Sequence, residues 1–201
     1  MSATLLSKSV FIHVPKTGGT WTCSVLKTMG LIEKNIRFHP HLDQIKEQWG
    51  NDLFFFAFVR HPLTWWQSLW SHRVRANWSR SDIKATKDLE EWLAPINELK
   101  DGDFNVFMRK ILQKYPGHYS NYFEQFTGVD NEVDYIGRFE SLREDLVSAL
   151  VSANESFSKS TIMSHEPIRQ ANKSHPKYDL ELMKDVELAE SKIIKRFYEG
   201  N

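Results

Sequence analysis

The chain has 201 residues, 41% apolar and 13% aromatic, which suits one domain with a substantial core and argues against global disorder. Its 26 Lys/Arg balance 26 Asp/Glu, so it lacks the basic excess of a protein that coats nucleic acid or an anionic membrane. One cysteine, Cys23, excludes an internal disulfide framework, and no apolar run approaches the roughly 18 residues of a membrane span.

Residues 1–8 lack a basic segment followed by a long apolar run, which predicts no signal peptide and a cytoplasmic protein. Residues 9–14 (SVFIHV) read as a buried strand, with His13 inside it as a satisfied core group. PKTGGT at 15–20 breaks that strand. Residues 20–29 then read as a helix, with Trp21, Val25, Leu26 and Met29 on one side and Gly30 as the stop. Residues 53–59 (LFFFAFV) form a second buried strand, and Pro62 opens a helix running to about residue 75. Residues 82–127 read as mostly helical. Residues 133–139 (VDYIGRF) are a third strand, and 140–153 a helix with Leu142, Leu146, Leu150 and Val151 as its apolar stripe. Residues 156–177 are polar and loop-like, and 178–198 read as one long terminal helix.

No repeat or linker divides the chain, so a single domain over 1–201 is expected. Apolar strands alternating with helices predict an α/β fold with a central, mainly parallel sheet flanked by helices. Ligands in such sheets sit beyond the carboxyl ends of the strands. That rule directs attention to the loop after the first strand and to the residues after the second.

The first place is Pro15-Lys16-Thr17-Gly18-Gly19-Thr20-Trp21. Amides at a helix start favour an anion, and glycines let the backbone approach it. Lys16 adds charge, and Thr17 and Thr20 add hydroxyls. The Walker A order, GxxxxGK[ST], is absent, because the lysine here precedes the glycines. The alternative is a plain strand-to-helix turn. The second place is Arg60-His61-Pro62, with Ser68 two turns into the following helix. Arginine binds phosphate bidentately and a serine hydroxyl can add a bond; the alternative is an arginine paired with a structural carboxylate.

Together the two segments resemble the sulfotransferases that use 3′-phosphoadenosine 5′-phosphosulfate (PAPS). PKTGGTW resembles that family's 5′-phosphosulfate loop. RHP followed by a serine eight residues after the arginine resembles its 3′-phosphate motif, with His61 where Asp or Asn is usual. YIGRFESL at 135–142 resembles a stretch of carbohydrate-type and bacterial members, and NKSHPKY at 172–178 resembles the segment before their terminal helix. The resemblance implies a P-loop-like sulfotransferase fold and PAPS as co-substrate. Lys16 would act catalytically on the bridging oxygen or sulfonate. Thr17, Gly18, Gly19 and Thr20 would line the 5′-phosphate site. Trp21 would stack on adenine or pack in the core. Arg60 and Ser68 would hold the 3′-phosphate, with Arg169, Lys173 and Ser174 on a late loop over the cofactor.

Transfer to a hydroxyl needs a base, and His39-Pro40-His41 resembles the H-x-H of uronyl 2-O-sulfotransferases. His41 is the first candidate and His39 the second; the alternative is a surface histidine. No metal is expected, since no further cluster completes a site around the H-x-H. Trp65, Trp66, Trp70, Trp78 and Trp92 read as core residues, or as part of an acceptor pocket. The expected partner is a small-molecule or glycan acceptor, with no nucleic acid and no membrane span. The rivals are a P-loop kinase-like phosphotransferase and a non-catalytic module that binds adenosine 3′,5′-bisphosphate (PAP). Residues 1–32, 53–81 and 167–178 together hold ten Lys/Arg and no carboxylate, which concentrates cationic charge in the motif windows of a neutral chain.

Overall fold

In the computed structural model, which describes residues 3–36, 42–78, 94, 96–129, 133–166 and 176–199, two apolar runs form the centre of one sheet. Strands β2 (Ser9–Ile12) and β4 (Phe54–Val59) are parallel neighbours, paired from Ser9↔Phe54 to Ile12↔Ala57. Strand β5 (Tyr135–Arg138) lies parallel on the far side of β4, with Val59 opposite Arg138. Val10, Phe11, Ile12 and every residue from Phe55 to Val59 are buried, so both strand faces are apolar and the sequence reads as continuous runs.

The sheet is mixed, and the expectation of a mainly parallel one is corrected. Strand β1 (Ala3–Leu5) pairs antiparallel with β2, and β3 (Lys34–Ile36) antiparallel with β1, giving the order β3-β1-β2-β4-β5. The physical reason is the connection length. Leu6, Ser7 and Lys8 turn the chain back, the Leu6 N–H donating to the Ser9 carbonyl at 2.8 Å, and a link that short returns antiparallel. The Glu155 carboxylate clamps this hairpin, accepting from the Lys8 N–H and the Ser9 hydroxyl at 2.8 Å each.

Contacts divide the chain into two compact units, Met1–Arg60 with Phe123–Arg169, and His61–Tyr122 with Gln170–Asn201. The first unit contains the sheet, α1 (Gly19–Thr28) and α2 (Leu42–Trp49). It also contains α6 (Leu142–Ser152) and α7 (Lys159–Ser164). Its core joins Phe11, Phe56 and Phe58 to Trp21, Val25 and Leu26 of α1, to Leu146, Ala149 and Leu150 of α6, and to Ile162 of α7. The Phe11 ring lies 5.4 Å from that of Phe56 and 5.7 Å from that of Phe58. Cutting one such ring to alanine costs about 3–5 kcal/mol.

The second unit contains α3 (Pro62–Arg75), α4 (Phe104–Lys114), α8 (Leu180–Ala189) and α9 (Ser191–Phe197); its boundary falls within α5 (His118–Thr127). Trp65 and Trp66 are fully buried here, Trp65 stacked on Tyr119 at 4.1 Å, so both are core residues. Two further expectations are corrected. The polar stretch after residue 156 contains α7, started by the Ser158 hydroxyl accepting the Thr161 N–H and anchored by the buried Ile162. The terminal helix is two helices. The break falls at Glu190, whose buried carboxylate accepts from the Tyr119 and Ser120 N–H groups, the Ser120 hydroxyl and Trp66 Nε1. No helix among the described residues is long and apolar enough to cross a membrane.

Candidate anion-binding site

Strands β2, β4 and β5 are parallel, so the segments that follow them leave the same edge of the sheet. These segments are residues 13–18, Arg60, and the 3₁₀ turn Phe139–Ser141, all within the first unit.

The loop after β2 is shaped from within. Thr17 is fully buried and donates its hydroxyl to the Val14 carbonyl at 2.8 Å. Its hydroxyl therefore serves the loop itself. Lys16 has φ +68° and Gly18 φ +93°, both left-handed. Glycine takes that state freely, whereas a residue with a Cβ pays about 1–2 kcal/mol. The Gly18 carbonyl accepts from the Trp21 and Thr22 N–H groups at 3.0 and 3.1 Å, which opens α1. Among the described residues the N–H groups of Gly18, Gly19 and Thr20 meet no acceptor, and no acid stands in the first turn of α1. Thr20 is exposed beside them. The result is a positive helix start with open donors and Lys16 adjoining, an arrangement that attracts an anion.

Both glycines are demanded by close neighbours. A Cβ on Gly18 would lie 2.6 Å from Leu142 Cδ2 and 3.0 Å from Phe139 Cδ2. A Cβ on Gly19 would lie 1.9 Å from Cδ2 and 2.2 Å from Nε2 of His13. His13 stands just past the end of β2, half-buried, its ring stacked on Phe11 and laid across the start of α1. The sequence reading made it a core residue of the strand; it is a wall of the loop.

Arg60 follows β4 directly. Its Nη1 donates to the Lys16 carbonyl at 3.2 Å, and its guanidinium lies 4.1 Å over the Phe139 ring. Phe139 thus touches both the arginine and the glycine turn. Asp145 holds it there, accepting from the Arg138 N–H at 2.5 Å, the Ser141 hydroxyl at 2.7 Å and the Tyr135 hydroxyl at 3.1 Å. Burial and the adjoining Asp145 carboxylate push the Tyr135 phenol up to about 12, so it remains a donor at neutral pH. Gly137 lets these layers close, since a Cβ there would lie 2.7 Å from both Asp145 Cβ and Phe58 Cε1.

Trp21 is 9% exposed and belongs to the core. The Arg143 guanidinium lies 5.6 Å over its ring and the His165 ring meets it edge-on at 5.9 Å. Arg143 Nη2 donates to the His165 carbonyl at 2.7 Å, and His165 Nε2 sits 3.1 Å from the Ser24 hydroxyl. Ser68 is half-buried on α3, in the second unit. His39, His41, Arg169, Lys173, Ser174 and Trp92 lie outside the described residues.

The structure therefore brings Lys16, Thr17, Gly18, Gly19, Thr20 and Arg60 together, and adds His13, Phe139, Leu142 and Asp145. A signal for the additions was present: His13 stands two residues before Pro15, and Phe139 and Leu142 belong to YIGRFESL. No protein-family model, curated protein or solved structure matches the chain.

Proposed function

We propose that the protein is a sulfotransferase that moves a sulfuryl group from PAPS to an acceptor hydroxyl, on a P-loop-like α/β scaffold. The observation that carries this reading is convergence on one loop. Arg60, of the RHP motif, bonds the Lys16 carbonyl, while Phe139 and Leu142, of YIGRFESL, pack on Gly18. Three segments singled out separately by resemblance form one cluster around a helix start with open amides.

In this reading the Gly18, Gly19 and Thr20 amides hold the 5′-phosphate. Arg60 offers its guanidinium to the 3′-phosphate. Lys16 places an ammonium where negative charge grows on the oxygen between phosphorus and sulfur. The acceptor oxygen forms its bond to sulfur as that sulfur–oxygen bond breaks, and PAP leaves with the electron pair. The acceptor proton passes to a base, for which His41 is the candidate that the resemblance supplies. The acceptor is a glycan or small-molecule hydroxyl.

Thermal shift separates this reading from phosphoryl transfer. PAP should stabilise the protein, and stabilisation by ATP with magnesium alone would overturn the reading. Transfer of labelled sulfate from PAPS to an acceptor library, read by mass spectrometry, then tests the activity. PAP binding without transfer to any acceptor would favour the non-catalytic module.

A further inference from the structure

We infer that Arg60 is a positioning residue for Lys16: stacked on Phe139 and bonded to the Lys16 carbonyl, its guanidinium holds Lys16 in the left-handed backbone state that presents its side chain to the 5′ end of the nucleotide. The inference rests on the sulfotransferase reading and goes beyond it, because that reading gives Arg60 only the 3′-phosphate.

The argument begins with strain. Lysine has no special tolerance for positive φ, unlike glycine, asparagine or aspartate. Such a residue persists only where its surroundings over-determine it. Lys16 stands at φ +68°, and its carbonyl meets Arg60 Nη1 at 3.2 Å. The Arg60 fork is planar, and its stack on Phe139 at 4.1 Å limits its rotation. Phe139 is fixed in turn by the turn that Asp145 ties, and it abuts Gly18. The loop is thus gripped at three successive residues: Lys16 through Arg60, Thr17 through the Val14 carbonyl, and Gly18 by Phe139 and Leu142. A lysine at position 60 would keep the charge. It would lose the flat stack and the planar fork that reaches the carbonyl.

The roles separate by ligand. Adenosine 5′-monophosphate lacks the 3′-phosphate, so a pure 3′-phosphate ligand would not affect its binding. We would titrate AMP and PAP into the wild type, Arg60→Gln, Arg60→Lys and Phe139→Leu, following ligand signals by NMR. A positioning role predicts that AMP affinity falls at least fivefold in Arg60→Gln and Arg60→Lys. It also falls in Phe139→Leu, which retains the cation. Loss of PAP affinity with AMP affinity intact in all three variants would overturn the inference and leave the sulfotransferase reading standing. A wild type that binds neither nucleotide would sink that reading instead. A ligand-free cycle then decides the inference. Glycine adopts φ +68° freely, so Arg60→Gln should lower the urea midpoint less in a Lys16→Gly background than in the wild type. Equal shifts in the two backgrounds would overturn it. Should Arg60→Gln fail to fold, Arg60→Lys takes its place in the cycle.

Discussion

Replacing Gly19 by alanine tests the geometry of the loop without touching a charge. The new methyl would start 1.9 Å from His13 Cδ2 and 2.2 Å from Nε2. To restore ordinary contact the ring must retreat by about 1.5 Å, giving up part of its stack on Phe11. Overpacking of this kind costs about 1–3 kcal/mol, and alanine returns up to about 1 kcal/mol through its better helix propensity. The expected net loss is about 1–2 kcal/mol, or about 2–8 °C in Tm for a chain of this size. Urea denaturation followed by tryptophan fluorescence measures it. Gly102→Ala is the control, since a Cβ there meets nothing within 4 Å and the backbone is ordinary. Adding His13→Ala to Gly19→Ala clears the clash, so the two losses should be less than additive by about 1 kcal/mol. Gly19→Ala matching Gly102→Ala in stability, or strict additivity with His13→Ala, would refute the contact and with it the role of His13 as a wall of the loop.

Lys16→Ala should lower sulfate transfer at least 100-fold while changing PAP affinity less than tenfold; comparing initial rates with PAP titrations checks this, and equal losses would make Lys16 a binding residue only. Glu190→Gln should destabilise the protein by about 2–4 kcal/mol in urea, because four donors converge on that carboxylate and an amide presents its own N–H groups to some of them. An unchanged midpoint would refute that account. Burial holds the His118 imidazole down at about 4, against 6.5 when unfolded. Between those values the unfolded chain binds a proton that the folded one refuses, so this contribution is intact above pH 6.5 and falls as the pH drops toward 4, by up to about 3 kcal/mol. Urea midpoints at pH 7 and 4.5 should therefore differ less in His118→Gln than in the wild type, and an equal difference would show that another group governs the acid response.

Much of the fold is legible in the sequence where the signal is local. SVFI and FFFAFV are apolar on both faces, and that run appears in any buried parallel strand. Pro62 sits at the first turn of α3 and Gly30, at φ +70°, just beyond α1, where backbone chemistry requires them. The glycine loop is equally local, since strand, glycines and helix are contiguous. By contrast β1 and β3 have three residues each, too few for any period to show, so the antiparallel half of the sheet was hidden. Helix α7 buries a single isoleucine in a polar stretch, and the break at Glu190 answers to donors on α3 and α5 distant in the chain.

The same division runs through the site. The sequence by itself determined a neutral chain with cationic windows, an α/β architecture, and a lysine ahead of two glycines at a helix start. Only the tertiary structure decided why Gly18 and Gly19 must be glycines, that Thr17 turns its hydroxyl inward, and that Arg60 reaches a carbonyl 44 residues away. The physical reason is that backbone conformation and burial preference are written residue by residue along the chain. Contacts at van der Waals range between its distant parts exist only once the strands have paired and set His13, Arg60 and Phe139 around one loop.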